Sequence, residues 1–166
     1  MTEILAPCGC FESLKAAVCS GADAVYFGAG EFNARRNAEN FTAENLDDAV
    51  KYCHIRGVRA YLALNTLVSD AEFEDALCLA KSAANAGIDG IIIQDIGLAG
   101  AIHECAEDLP LHASTQMSIH SKSGVKLLKN AGYKRVVLSR ECSREDIAEI
   151  AEYAHENGME IEIFVQ

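Results

Sequence analysis

Residues 90–94 read Gly-Ile-Ile-Ile-Gln, and residues 135–139 read Arg-Val-Val-Leu-Ser. Each is a short apolar run that does not alternate with polar residues and ends on a side chain able to hydrogen-bond. Such runs mark strands covered on both faces, which means parallel strands flanked by helices. Working outward, similar runs lie at Ile4–Pro7, Ala24–Gly28, Val58–Leu64, Leu111–Ala113 and Ile161–Val165. The segments between them carry helical periodicity: Phe11–Ser20, Ala43–Arg56, Asp70–Ala86, Leu98–Glu107, Ser118–Ala131 and Ser143–Asn157. In Ala43–Arg56, Leu46, Ala49, Val50 and Cys53 share a face, Thr42 is placed to cap the start, and Asn45 takes the capping-box position. In Ser143–Asn157 the stripe is Ile147, Ile150, Ala151 and Ala154, opened by Cys142 or Ser143. Gly21, Gly57, Gly87, Gly132 and Gly158 follow helices, where the chain often turns left-handed.

Strict strand-then-helix alternation specifies an α/β fold. An open dinucleotide-binding sheet would place a glycine-rich loop after its first strand. Here that exit reads "APCGCFES", with one glycine. Polar residues are spread instead over many successive strand ends, as in a barrel. The expected fold is therefore an incomplete TIM-type (β/α) barrel, a single domain over residues 1–166 with seven parallel strands and six helices. A complete barrel takes about 250 residues, and the sequence ends at Gln166, directly after the seventh strand. Truncation before the eighth strand is the expectation, with open edges that could pair two copies into a homodimer.

Half of the 166 residues are hydrophobic and 23% are charged, enough to bury a core. No apolar run reaches membrane-spanning length. The start, Met1-Thr2-Glu3, has no basic and apolar leader, which points to a cytoplasmic protein with no membrane partner. Seven cysteines, an odd number, fit reduced thiols. The net charge of −11 repels nucleic acid at long range, so an RNA partner would need a local basic site such as Arg35 and Arg36.

In a barrel the chemistry sits on the loops after the strands. Those positions hold Cys8, Gly9 and Cys10; the loop "AGEFNARRNAENF"; Asn65 and Thr66; Gln94 and Asp95; Ser114, Thr115 and Gln116; Ser139, Arg140 and Glu141. Amides and hydroxyls collect at this rim. The opposite ends carry Asp23, Arg59, Asp89, Pro110 and Lys134, which read as solvated turns. Arg35 could clamp a carboxylate or phosphate, or pair with Glu31 or Glu39. Asp95 could be a base or a helix cap. Arg140 and Glu141 could face a substrate or neighbouring loops. His112 lies within a strand and could point into the barrel. No lysine stands at a strand's carboxyl end for a Schiff base, and no G-x-S-x-G elbow occurs. Cys8-x-Cys10 lacks a second pair at zinc spacing. Cys10, before a helix, could be an activated thiol.

The blocks "EILAPCGCFESLKAAVCSGADAVYFG", "EFNARRNAENFT", "LALNTL", "DGIIIQDIG", "LHASTQMSIHS" and "RVVLSRECS" resemble, in order, the N-terminal barrel of the peptidase U32 family, the collagenase-like proteases. The resemblance runs from Glu3 to Gln166. It departs from the family at Cys8-Gly9-Cys10, where the family usually has Ala-Gly-Asn, and this argues against a family-wide role for either cysteine. It implies a barrel and two activities. One is a peptidase of unassigned catalytic type. The other is an iron–sulfur hydroxylase of tRNA, rRNA or a quinone precursor, with cluster cysteines in a segment after "EIFVQ" that this chain lacks. The implied cofactor is thus none here, with a [4Fe-4S] cluster in a full-length parent, and the implied substrate is peptide or RNA. Carried over by position, the substrate-facing residues are Arg35, Asn65, Gln94, Asp95, Ser114, Thr115, Gln116, Arg140 and Glu141, with no nucleophile identified. A fragment inactive on its own, serving as a scaffold, is the third reading.

Overall fold

The computed structural model describes residues 2–34 and 41–165. In chain order the elements are β1 (Leu5–Pro7), α1 (Phe11–Cys19), β2 (Ala24–Gly28), α2 (Ala43–His54), β3 (Arg59–Leu64), α3 (Phe73–Asn85) and β4 (Gly90–Ile93). They continue with α4 (Ile96–Cys105), β5 (Leu111–Ala113), a 3₁₀ turn (Thr115–Met117), α5 (Lys122–Asn130), β6 (Arg135–Val137), α6 (Arg144–Glu156) and β7 (Glu160–Glu162). The strands form one sheet in sequence order, every neighbouring pair parallel. Expected class and element count both stand.

The sheet curls. In a flat sheet β1 and β6 would lie about 24 Å apart, five spacings of roughly 4.8 Å. Yet Glu3, two residues before β1, accepts a 2.8 Å hydrogen bond from Arg135 of β6. Curling separates two faces that the apolar runs had concealed. Val25, Phe27, Leu62, Leu64, Ile91, Ile93, Leu111, Val136 and Leu138 join the main core with the helices. Ala24, Tyr61 and Ile92 form a second, smaller cluster inside the barrel with Leu5 and Tyr26. His112 points inward with them, its ring edge-on to Tyr61 at 4.8 Å.

Several element boundaries differ from the sequence expectation: α3 starts at Phe73 and not at Asp70, α4 spans Ile96–Cys105 and not Leu98–Glu107, and two further differences bear on the site. The helix expected from Ser118 begins at Lys122, capped by Ser121, whose side chain accepts from the Gly124 amide. Ser118 instead takes a left-handed conformation, φ 55°, and ends the 3₁₀ turn. The seventh strand pairs over Glu160–Glu162, so Ile163, Phe164 and Val165 extend past it and are exposed. The glycines that follow the helices all have positive φ, as expected.

At the start of the strands Asp23, Arg59 and Lys134 are exposed, as expected of solvated turns, but a charged network also forms there. Glu3 pairs with both Arg59 and Arg135, and Arg135 also pairs with Glu160 and Glu162. The Arg135 side chain is 7% exposed and lies over the Tyr61 ring at 5.1 Å. Asp89 accepts from the Ala60 amide at 2.8 Å and contacts His54. Arg135, Glu3 and Glu162 are turned inward and paired, whereas Arg59 and Glu160 reach them from the exposed rim.

Candidate active-site cleft

A cleft enclosing about 180 Å³ opens at the carboxyl ends of the strands. Asn65 from the β3 loop, Thr115 and Gln116 from the β5 loop and Arg140 from the β6 loop all line it. Four of the nine residues expected at the rim therefore meet in one place. Each reaches it for a local reason. The β2 loop crosses to β3, where the Ala34 amide donates to Asn65 Oδ1 at 3.0 Å. Thr115 Oγ1 donates to the Leu138 carbonyl at 3.2 Å, tying the β5 exit to the β6 exit. The Arg140 guanidinium stands over the Phe164 ring at 4.5 Å, a contact worth about 0.5–1 kcal/mol at an exposed site.

Other expected residues have different places. Asp95 is a helix cap: Oδ1 accepts from the Leu98 amide at 2.9 Å, and Oδ2 accepts from Val68 at 3.3 Å. Ser114 is buried and caps the 3₁₀ turn, accepting from the Gln116 amide at 3.3 Å. It sets the backbone under Gln116. Gln94 is half-buried and is not among the lining residues. Glu141 is exposed, and its carboxyl is held below the usual range, first by a hydrogen bond from Ser139. Arg35 lies outside the described residues.

Sequence reasoning missed several cleft residues, among them Tyr26, Gly28, Asn33 and Phe164. Tyr26 was hidden inside a strand, and Phe164 had been placed within β7. Asn33 sits in the loop singled out by its length, a signal that pointed to the loop and not to the residue.

Two thiols at the β1 exit differ sharply. Cys8 lines the cleft, but burial pushes its pKa up to about 12, helped by Cys53 and Cys10 nearby. A thiol in that state is no nucleophile at neutral pH. Cys10 caps α1, and hydrogen bonding with Ser13 lowers its pKa. Among the described residues, Arg140 is the one charged side chain lining the cleft, and no group of three or more His, Cys, Asp or Glu could hold a metal. These residues therefore do not fit a cluster site. The cleft offers carboxamides, hydroxyls and a guanidinium beside aromatic residues.

The model of peptidase family U32 matches residues 9–166. The chain belongs to that family. Among U32-related proteins, it is 35% identical over 163 residues to tRNA hydroxylation protein P1 of Bacillus subtilis, covering 98% of this chain and 38% of the relative. It is 36% identical over 155 residues to the collagenase of Porphyromonas gingivalis, covering 90% and 36%. The chain thus spans less than two fifths of the length of these relatives. The solved structure of the U32 peptidase Mk0906 superposes with a TM-score of 0.75 at 15% identity, covering 98% of this chain and 68% of that one, which supports the barrel fold. No helix among the described residues is long and apolar enough to cross a membrane.

Proposed function

We propose that this barrel is the substrate-binding domain of an RNA-modifying enzyme of the tRNA hydroxylation type. The observation that carries the reading is the chemistry of the cleft. Asn65, Gln116 and Thr115 present donors and acceptors, Tyr26 and Phe164 present rings, and the lining thiol, Cys8, is held protonated. Carboxamides read the edge of a base, and aromatic and guanidinium planes stack on its face. Enzymes that act on a base commonly swing it out into a closely fitting pocket. At about 180 Å³ the cleft is below the 300–1,000 Å³ usual for drug-sized ligands. It fits one ring better than several residues of an extended peptide. With a net charge of −11, RNA must be held by local contacts, and Arg140 supplies one.

Hydroxylation turns a C–H bond into C–OH, so it needs an oxygen donor, such as water or a hydroxylated co-substrate, and a group that accepts the two electrons released. An iron–sulfur cluster in the full-length protein is our proposal for it, with ligands from outside the described residues, and a cytoplasmic location follows from a tRNA substrate. Peptidase activity is the second reading. The similarity to the Porphyromonas gingivalis collagenase favours it, and carboxamides can also hold a peptide backbone. Nucleoside mass spectrometry of tRNA from a deletion strain, with and without the full-length gene restored, separates the two. The expected result is a hydroxylated nucleoside lost and regained. Unchanged tRNA together with cleavage of gelatin by the purified full-length protein would establish the peptidase instead.

A further inference from the structure

In the loop after β2, the Asn33 carboxamide fills the space that a side chain on residue 28 would take. Asn33 is 2% exposed, a rare state for an asparagine unless its polar atoms are engaged. Its Nδ2 donates to the Gly30 carbonyl at 3.1 Å. Its carboxamide occupies the space where a β-carbon on residue 28 would stand, with Cγ, Nδ2 and Oδ1 between 2.4 and 2.7 Å from that point. Gly28 lies outside the left-handed region, so glycine is required there by this contact and not by its backbone angles. The loop closes on itself just beyond: the Phe41 amide donates to the Gly28 carbonyl and the Gly30 amide to the Phe41 carbonyl, both at 3.1 Å. Phe41 is buried 4.6 Å from the Phe27 ring. The residue after Asn33 then donates its amide to Asn65 Oδ1. Gly28, Asn33, Ala34 and Asn65 all line the cleft.

We propose that Asn33 is a positioning residue of the cleft: seated on Gly28, it fixes Ala34, and Ala34 fixes the Asn65 carboxamide that meets the ligand. Asn33 thereby decides which edge Asn65 offers, and so what the cleft accepts. The claim about ligand choice rests on reading the cleft as a substrate site; the claim about Asn65 does not.

Two substitutions remove the same seat by different routes. Asn33→Ala deletes the carboxamide. Gly28→Ala evicts it, and because the obstructing atoms belong to a side chain, the fold can accommodate the change. Amide exchange followed by NMR on the 166-residue chain reads the outcome. Either variant should speed exchange at Ala34 about five- to tenfold, the loss expected for one hydrogen bond. The double variant should be no worse than the faster single, because both changes empty the same seat. Unchanged exchange in the singles, or a double effect equal to their product, overturns the proposal. In the full-length protein, assayed on tRNA from the deletion strain, both singles should raise KM about five- to tenfold with little change in kcat. A loss confined to kcat would overturn the role in ligand choice. Wild-type protein that modifies no tRNA would sink the substrate reading, while the exchange measurement still decides the seat.

Discussion

The two mouths of this barrel use polar residues in opposite ways. At the strands' amino ends, three carboxylates (Glu3, Glu160 and Glu162) surround Arg135 and Arg59, and Tyr61 and His112 pack against them. The carboxylates and guanidiniums pair with one another, while His112 Nδ1 and one Glu162 oxygen are buried without a hydrogen-bond partner among the described residues. At the carboxyl ends, polar side chains make one contact with the scaffold and then face open space. Asn65 accepts one amide, Thr115 donates to one carbonyl, and Arg140 rests on one ring. Burial of Arg135, Glu3 and Glu162 makes the first set structural. Residual exposure leaves the second set with capacity for a ligand.

Breaking the first region should cost most. Arg135→Ala strands Glu162 without its cation and leaves Glu3 only the half-exposed Arg59, and removing one partner of a buried ion pair costs about 3–5 kcal/mol. Urea unfolding checks this, and a loss below about 1 kcal/mol would show the cluster to be solvated. Next comes pH. Burial, with Arg135 and Arg59 nearby, holds His112 at about 3 rather than 6.5. The fold thus favours neutral His112. Its contribution to stability is complete above pH 6.5 and is lost as pH falls toward 3, with a slope of at most about 1.4 kcal/mol per pH unit. Glu162 acts in the opposite sense. Burial raises its pKa, so its contribution is present below about 4.5 and lost as pH rises through the folded value. Unfolding curves of wild type and His112→Gln between pH 3 and 7 isolate the histidine. Equal slopes would contradict its burial as a neutral ring.

Smaller effects sharpen the other side. Asp95→Ala removes a helix cap and should cost about 0.5–2 kcal/mol, leaving ligand affinity unchanged in the full-length protein; loss of affinity without loss of stability would return Asp95 to the ligand site. Gln116→Ala and Arg140→Ala should change stability by less than about 0.5 kcal/mol, as exposed positions do, yet weaken tRNA binding by the full-length protein. Smallest is reactivity within one loop. Iodoacetamide at neutral pH should label Cys10 well before Cys8, as peptide mass spectrometry would record.

How much of this could be read from the sequence follows from where its information lies. Strand and helix alternation is local, so runs such as Gly90–Gln94 sufficed for the barrel and for the rim that holds Asn65, Thr115, Gln116 and Arg140. Local reading could not tell a rim residue that caps from one that faces the cleft: Asp95 and Ser114 turned to backbone amides within three residues of themselves. Contacts across the barrel were also hidden. Glu3 and Arg135 are 132 positions apart, and nothing near either announces the other. Asn33 escaped because it packs into the space that Gly28 leaves by having no side chain, which no local pattern announces.

The central claim is that ligand meets the carboxyl-end cleft while the amino-end cluster only supports it. Hydrogen exchange of the full-length protein with and without saturating tRNA tests this most directly. Slowed exchange around residues 65–68, 114–118 and 139–141, with 59–61 and 133–136 unchanged, is the predicted pattern. Protection of the second group, or none at the first, would contradict it.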